Sequence, residues 1–295
     1  MTRDVLGDGR AFLDREARLI ERRLAGVLFD RAEPDGVIDA VRAYRNADGG
    51  FGHGLEPDKR CPASLPIDVE CALEILWQAG AAGSAAPAIH DLVVGARDWL
   101  DSVAEIDGAV PLAFPVIEQY PRADHWTDWT YAPGLNPTAG LAGRLHRLGV
   151  THGWLDRATD WCWQQLESVF DEDAHALGEV LLFLAHVPDQ ARAQRVSEQV
   201  PAWLAQARWY REDAADSEYG VTPLHLAPAP TSRWRSLFDD RTVEGHLDRL
   251  ARDQQEDGGW PITWEPPSVA SAQEWRGIET LRALRTLEVY GRIES

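Results

Sequence analysis

Apolar residues recur at spacings of three and four along most of the chain, with polar residues between them. This is the pattern of amphipathic helices, which bury one face. The clearest example runs from about residue 9 to residue 30 and consists of Leu13, Ala17, Ile20, Leu24 and Leu28. The pattern returns at 177–184 and at 278–287, and no convincing series alternates apolar and polar residues as a strand does. It predicts roughly ten or eleven helical segments and an all-α fold.

Two segments near opposite ends of the chain share one motif, NADGGFGHGLEP at 46–57 and QEDGGWPITWEP at 255–266. In both, an acidic residue, two glycines and an aromatic residue are followed by Glu-Pro at the same spacing, and helical patterns lie on either side. The glycines let the chain leave a helix through positive φ. A weaker third version lies at 96–113.

Repeated helical hairpins bury their apolar faces only against neighbouring hairpins, which suggests a ring or a solenoid. Copies near both ends favour a ring, because closure brings the two ends together. The chain has no Ser/Gly linker. Residues 1–295 are therefore predicted to form a single domain, with an irregular loop region at about 209–236.

Composition narrows the class of partner. The net charge of −19 disfavours nucleic acid and anionic membranes, and no Lys/Arg cluster follows a phosphate backbone. The N-terminal residues contain no signal-peptide apolar segment, and no run approaches about 18 apolar residues, so we expect a cytoplasmic protein without a transmembrane segment. Three scattered cysteines predict neither a disulfide framework nor a CxxC-type zinc site. Thirteen tryptophans suggest a pocket with aromatic walls.

The segment LARDQQEDGGW at 250–260 resembles the QW repeat of triterpene cyclases, with Leu250, Gln254, Gly258 and Trp260 in the matching positions. The segment GGFG followed by LPIDVECALEIL is similar to the segment of squalene–hopene cyclases in which a glycine-rich turn precedes a proline, an acidic DxDD-type motif and an apolar helix. The chain thus resembles the terpene cyclase/protein prenyltransferase superfamily. That resemblance implies an α/α toroid, a helical barrel of concentric inner and outer helices, with QW elements at its periphery.

The sequence departs from that family at its catalytic motif. A DxDD motif is absent, and Asp68-Val69-Glu70-Cys71 stands in its place. Depending on the position of one gap, the family's proton-donating aspartate falls on Glu70 or on Val69, and the second alignment removes it. The chain is also about one toroid long, whereas squalene cyclases carry two helical domains.

The densest group of candidate catalytic residues is His53, Glu56, Asp58, Asp68 and Glu70, within 18 positions. An acid-initiated cyclase needs a carboxylic acid kept neutral in an apolar pocket, and aromatic faces to stabilise the carbocation. His53 is a candidate to orient that acid. The alternative is structural: Asp68 as a helix N-cap and Glu70 as a first-turn residue, where the helix dipole favours the charged carboxylate.

The repeated Glu-Pro pair also has two interpretations. Repetition on a symmetric element favours a structural role, in which the glutamate accepts backbone N–H bonds within its loop. The functional interpretation places Glu56, Asp58 and Glu265 at the mouth of the ring. Because Pro267 occupies the position equivalent to Asp58, Asp58 is the least structural of these acids.

The candidate substrate-binding residues are mostly aromatic and lie beside these loops: Trp126, Trp129, Tyr131, Trp264, Glu265 and Trp275. We expect no metal site and no cofactor. The FDDRTVEGHL segment at 238–247 resembles a magnesium–diphosphate motif only loosely, and helix capping explains it more simply. Asp160-Trp161-Cys162 is a poor match to the zinc pattern of protein prenyltransferases.

Three functions are compatible with these residues. The first is a terpene-cyclase-like lyase or isomerase that acts on an isoprenoid or other apolar small molecule, with Glu70 or Asp58 as the acid. The second is a carbohydrate-active toroid that holds sugar rings on tryptophan faces and uses Glu56 with a second carboxylate as acid and base. The third is a non-catalytic toroid that binds a ligand or a protein. Only the family resemblance favours the first over the second.

Overall fold

The computed structural model describes residues 4–80, 86–167, 170 and 172–294. These residues contain no β-strand, only isolated bridges. The all-α prediction is therefore confirmed. The α-helices of the described residues are α1 Val5–Glu16, α2 Leu19–Asp30, α3 Asp35–Arg42, α4 Pro66–Gly80, α5 Ala86–Val103, α6 Leu135–Arg147, α7 Gly153–Leu166, α8 Ala174–His186, α9 Gln190–Ser197, α10 Val200–Gln206, α11 Pro223–Leu226, α12 Asp240–Arg252 and α13 Val269–Val289.

Helices α2, α4, α6, α8, α11 and α13 form a nearly continuous series of contacts, which we call the inner series. Helix α2 contacts α4, α4 contacts α6, α6 packs closely on α8, α8 contacts α11, and α13 contacts α2. The remaining gap is bridged where the Tyr290 hydroxyl, just beyond α13, donates to the Ala227 carbonyl, just beyond α11, at 2.9 Å. Helices α1, α3, α5, α7 and α12 pack against this series, and α1 packs against α13. The two ends of the chain therefore meet, which is compatible with the predicted toroid.

The predicted DGG motif forms one turn three times. In the last copy Gly258 has φ +93°, Asp257 Oδ1 accepts the Gly259 N–H at 3.0 Å, and the Gln255 N–H donates to the Gly259 carbonyl at 2.8 Å. The same bonds occur at 46–50 and at 105–109, and the equivalent glycines, Gly49 and Gly108, both have φ +94°. The weaker third version is thus the same structural element.

Each turn packs its central glycine against the backbone of a different helix. A Cβ atom on Gly258 would lie 2.2 Å from the Asp8 carbonyl oxygen in α1. The corresponding distances are 2.7 Å to the Gly95 oxygen in α5 for Gly49 and 2.5 Å to the Ala158 nitrogen in α7 for Gly108. The apolar residues that follow the first and last turns, Phe51 and Trp260, are both buried. The motif shared by residues 46–57 and 255–266 therefore marks equivalent helix junctions.

Replacing Gly258 with alanine is expected to lower the free energy of unfolding by about 3 kcal/mol, because positive φ and a backbone clash add together. Gly149 is a matched control: its φ is +71°, but nothing lies within 4 Å of an added Cβ. Gly149→Ala is expected to lose only about 1 kcal/mol. Urea unfolding of both variants checks this, and equal losses would show that the contact with α1 is unimportant.

Long connections gather at the N-terminal ends of the inner helices. Residues 43–65 precede α4, 104–134 precede α6, 207–222 precede α11 and 253–268 precede α13. By contrast, 31–34, 148–152 and 187–189 leave α2, α6 and α8 through short connections. The region predicted to be irregular, about 209–236, is mostly without regular helix apart from α11. The candidate residues lie on the long connections and on the helices that follow them.

Candidate functional site

A buried ion cluster fixes the loop before α4. Lys59, the only lysine of the chain, is fully buried and its Nζ lies 2.9 Å from Glu56 Oε2 and 3.1 Å from Asp68 Oδ2. Burial alone would lower the pKa of Lys59, but the charges of Asp68 and Glu56 outweigh it and raise the pKa. Two carboxylates around one ammonium group stabilise its charged form.

Both carboxylates also accept backbone N–H groups, Asp68 through its other oxygen and Glu56 through the same oxygen that contacts Lys59. Asp68 Oδ1 accepts the Glu56 N–H at 2.9 Å, and Glu56 Oε2 accepts the Asp58 N–H at 3.2 Å. Glu56 thus accepts a backbone N–H within its loop, as its structural interpretation predicts. Its counterpart in the second copy, Glu265, is exposed, so the two Glu-Pro pairs do not share an environment. Both Glu56 and Asp68 contact Lys59 and also hold backbone of the loop before α4.

Asp58 has a different environment from its neighbours. Its side chain is buried, Oδ1 accepts the Trp275 indole N–H at 2.7 Å, and Oδ2 lies 3.6 Å from Nε2 of His125. Burial raises the pKa of Asp58 to about 6, and the charge of Glu56 adds to the rise, while the indoles of Trp275 and Trp264 and the charge of Lys59 oppose it. A carboxylic acid with this pKa exchanges a proton near neutral pH.

A continuous series of rings extends from Asp58, and we call it the aromatic wall: Trp275, Trp264, Tyr219, His175 and Trp209. The Trp264 and Trp275 rings meet edge to face at 5.0 Å, and Tyr219 meets Trp264 edge to face at 5.8 Å. Tyr219 stacks on His175, whose ring also contacts Trp209. Tyr219 and Trp209 are 41% and 45% exposed, so the wall is open to a ligand.

Helices α4, α6 and α8 carry a second group of charges, which we call the inner charged cluster: Glu70, Glu74, Arg144, Arg147 and Glu179. Arg144 Nη2 lies 3.1 Å from Glu70 Oε1, Arg144 Nη1 is 2.6 Å from Glu179 Oε2, and Arg147 binds Glu74 at 2.7 Å. Burial and the charge of Glu179 raise the pKa of Glu70, against the opposing charge of Arg144. Unlike these charged residues, the fully buried leucines of α4 and α8 pack within the apolar core.

The structure brings four of the predicted residues together: Asp58, Trp126, Trp264 and Trp275. Trp126 belongs to this group because its ring lies 5.0 Å from Lys59 Nζ and packs against His125 at 5.7 Å. Glu70 belongs to the inner charged cluster and lies apart from the Asp58 loop contacts.

Three predicted residues have other partners. His53, expected to orient an acid, instead hydrogen-bonds through Nε2 to Asn46 Oδ1 at 2.9 Å. Trp129 is 57% exposed and donates to the His125 carbonyl, and the Tyr131 hydroxyl donates to Glu118. None of the three contacts Asp58 in the described part of the chain.

Among the described residues, no three His, Cys, Asp or Glu side chains form a group suited to a metal ion. In the segment that resembles a magnesium motif, Asp239 caps α12 by accepting the Thr242 N–H at 2.7 Å. Cys162, from the weak zinc pattern, is a buried residue of α7.

Sequence reasoning missed His125, His175 and Tyr219. His125 directly precedes Trp126 in the HWTDWTY segment, so its neighbours were a usable signal. His175 is the second residue of α8, and Tyr219 lies in the irregular region, 44 positions later. No local pattern connects these two residues, because their contact exists only in the folded chain.

No protein-family model matches the chain, and no curated protein matches it significantly. The crystal structure of a protein from Actinoplanes is similar over 96% of this chain and 98% of that chain, with a TM-score of 0.57 and 17% sequence identity. The likeness shows a shared fold. At this identity it transfers no activity and no site residue.

None of the helices of the described residues is both long enough and apolar enough to cross a membrane.

Proposed function

We propose that the protein is an enzyme that acts on a carbohydrate-like substrate, with Asp58 as its proton donor. The observation that carries this proposal is a buried carboxyl group that accepts the Trp275 indole N–H at 2.7 Å, and burial raises the pKa of this group to about 6. General acids work best when their pKa is close to the working pH. In glycoside hydrolysis, such a carboxylic acid protonates the oxygen of the leaving group.

The surroundings of Asp58 favour an oxygen-rich substrate. The partly exposed rings of Trp209 and Tyr219 offer flat faces to a sugar ring, and the nearby histidines and carboxylates offer hydrogen-bond partners to its hydroxyl groups. A hydrocarbon chain placed beside these polar groups would have to displace their water without replacing its hydrogen bonds.

One observation favours the isoprenoid alternative. Asp58 combines a raised pKa with a nearby histidine, His125 at 3.6 Å, and with several aromatic faces. An acid-initiated cyclase requires an acid of this type and rings that stabilise a carbocation. The resemblance to terpene cyclases suggests the same reaction.

A substrate panel separates the two proposals. It contains 4-nitrophenyl and methyl glycosides of the common pyranoses, oligosaccharides, squalene and polyprenyl diphosphates, and products are read by mass spectrometry. We expect release of a sugar product from at least one glycoside and no cyclised hydrocarbon. Conversion of squalene or of a polyprenyl diphosphate instead would replace the carbohydrate proposal by the isoprenoid one. Conversion of no member would contradict both.

The aromatic wall gives a binding prediction. Trp264→Ala is expected to weaken binding of the best glycoside in the panel about tenfold, equivalent to about 1.4 kcal/mol, because a stacking face is lost. Trp129→Ala is the matched control, since Trp129 is exposed and outside the wall. Isothermal titration calorimetry measures both. Equal affinities for the two variants would exclude a role of the wall in binding.

A further inference from the structure

Three side chains from two elements, two of them members of the aromatic wall, form a hydrogen-bonded series. The Tyr219 hydroxyl lies 2.8 Å from His175 Nε2, and His175 Nδ1 lies 3.4 Å from Asp173 Oδ1. With the phenol as donor, Nε2 is the acceptor and the ring proton of His175 is on Nδ1, next to the carboxylate. Asp173 is held in place because it also accepts the N–H groups of His175 and Ala176 at the start of α8.

Aromatic contacts connect this series to Asp58. Burial raises the pKa of Tyr219 to about 12, and the charges of Asp58 and Asp173 both add to the rise, so the phenol lies within electrostatic range of each. The ring of Trp264 contacts Tyr219 on one side and Trp275 on the other, and Trp275 holds Asp58. Burial lowers the pKa of His125, which lies beside Asp58, and the charge of His175 lowers this pKa further.

An acid that protonates a leaving group needs a partner that activates water. Glu56 is the nearest carboxylate in sequence, but its charge is neutralised by Lys59 at 2.9 Å. The Tyr219 hydroxyl is the accessible end of a series that terminates in a carboxylate, which is the arrangement of a general base.

We propose that Tyr219, His175 and Asp173 form the base side of the site, opposite Asp58. This inference rests on the proposed carbohydrate function. A water molecule gives one proton to the Tyr219 oxygen while the phenol proton passes to His175 Nε2, and the water oxygen forms a bond to the anomeric carbon. Asp58 gives its proton to the glycosidic oxygen as the carbon–oxygen bond breaks. One water is consumed, and the proton on His175 returns to Asp58 through solvent.

The test uses the 4-nitrophenyl glycoside that the wild-type protein hydrolyses fastest. Tyr219→Phe keeps the ring stack and removes only the hydroxyl, and His175→Ala removes the acceptor. Each is expected to lower kcat about 10²- to 10⁴-fold. The double variant is expected to be no slower than either single one, since the two groups act in series. His90→Ala, at an exposed position of α5, is expected to retain full activity.

Two further measurements separate catalysis from structure. Added imidazole is expected to restore part of the activity of His175→Ala, whereas a purely structural loss would not respond. Asp58→Asn is expected to keep most activity on the 4-nitrophenyl glycoside, because this leaving group needs little protonation. If Tyr219→Phe and His175→Ala retain wild-type kcat, the base assignment is overturned and Asp58 stands. If the wild-type protein hydrolyses no glycoside, both proposals are overturned.

Discussion

Lys59→Met is expected to lower the free energy of unfolding by about 3 to 5 kcal/mol, the largest stability effect of any single substitution proposed for this chain. The variant leaves Glu56 and Asp68 buried without the ammonium group that compensates their charges. Methionine has a similar length, so the change tests charge and not volume. Both carboxylates also hold backbone N–H groups of the loop that presents Asp58. We therefore expect the loop to loosen as well.

The control is a compensated variant. Lys59→Met combined with Asp68→Asn and Glu56→Gln removes the whole charge cluster and is expected to regain much of the lost stability. Arg22→Met changes an exposed cation of α2 and is expected to have an effect within about 0.5 kcal/mol. Urea unfolding at pH 7 measures all three variants. A loss for Lys59→Met as small as that for Arg22→Met would disprove the structural role of the cluster.

Asp58→Asn is expected to lower kcat about 10²- to 10⁴-fold on a methyl glycoside, whose poor leaving group requires protonation. Asparagine keeps an oxygen that accepts the Trp275 indole N–H, so the geometry of the site survives. In the wild-type protein, the protonated fraction of Asp58 falls as pH rises above about 6. We expect wild-type activity to decline through that pH and the variant to lack this decline. An unchanged kcat would contradict the assignment of the acid.

The same substitution is expected to raise stability at neutral pH. The pKa of Asp58 is about 6 in the folded chain against an ordinary 3.8. Between about pH 4 and pH 6 the folded state therefore binds more protons at this residue, and its contribution to stability falls as pH rises. Above about pH 6 the full penalty is present, so Asp58→Asn is expected to gain about 1 to 3 kcal/mol there and nothing below about pH 4.

A matched control separates this gain from a general effect of charge. Asp14→Asn removes an exposed acid of α1. It is expected to leave kcat unchanged and to change the free energy of unfolding by no more than about 0.5 kcal/mol. If Asp58→Asn loses activity and also loses stability at pH 7, the carboxylate is a structural element of the loop and not a strained acid.

Local patterns in the sequence predict the helices and the turns well. A turn such as that at Gly258 depends on a few adjacent residues, so its recurrence at Gly49 and Gly108 is visible without coordinates. Asp58 was also distinguishable, because Pro267 replaces it in the second copy and a purely structural residue would have no reason to change.

The partners of Asp58 were not predictable in the same way. Trp275 is separated from it by 217 positions and reaches it only because α13 packs beside α2 near the loop before α4. The commitment of Glu56 and Asp68 to Lys59 was hidden for a related reason. A single lysine within an acidic stretch is usually solvated, and only coordinates show it fully buried.

Because Lys59 is the only lysine of the chain, its chemical labelling can report when the loop that carries Asp58 opens. Amine-reactive reagents modify an uncharged amino group, and apart from the α-amino group this chain offers them only Lys59. In the closed structure that nitrogen is inaccessible and paired with two carboxylates. Acylation at this position would therefore report each excursion of the loop that carries Asp58, and a bound ligand that holds the loop shut would slow the labelling.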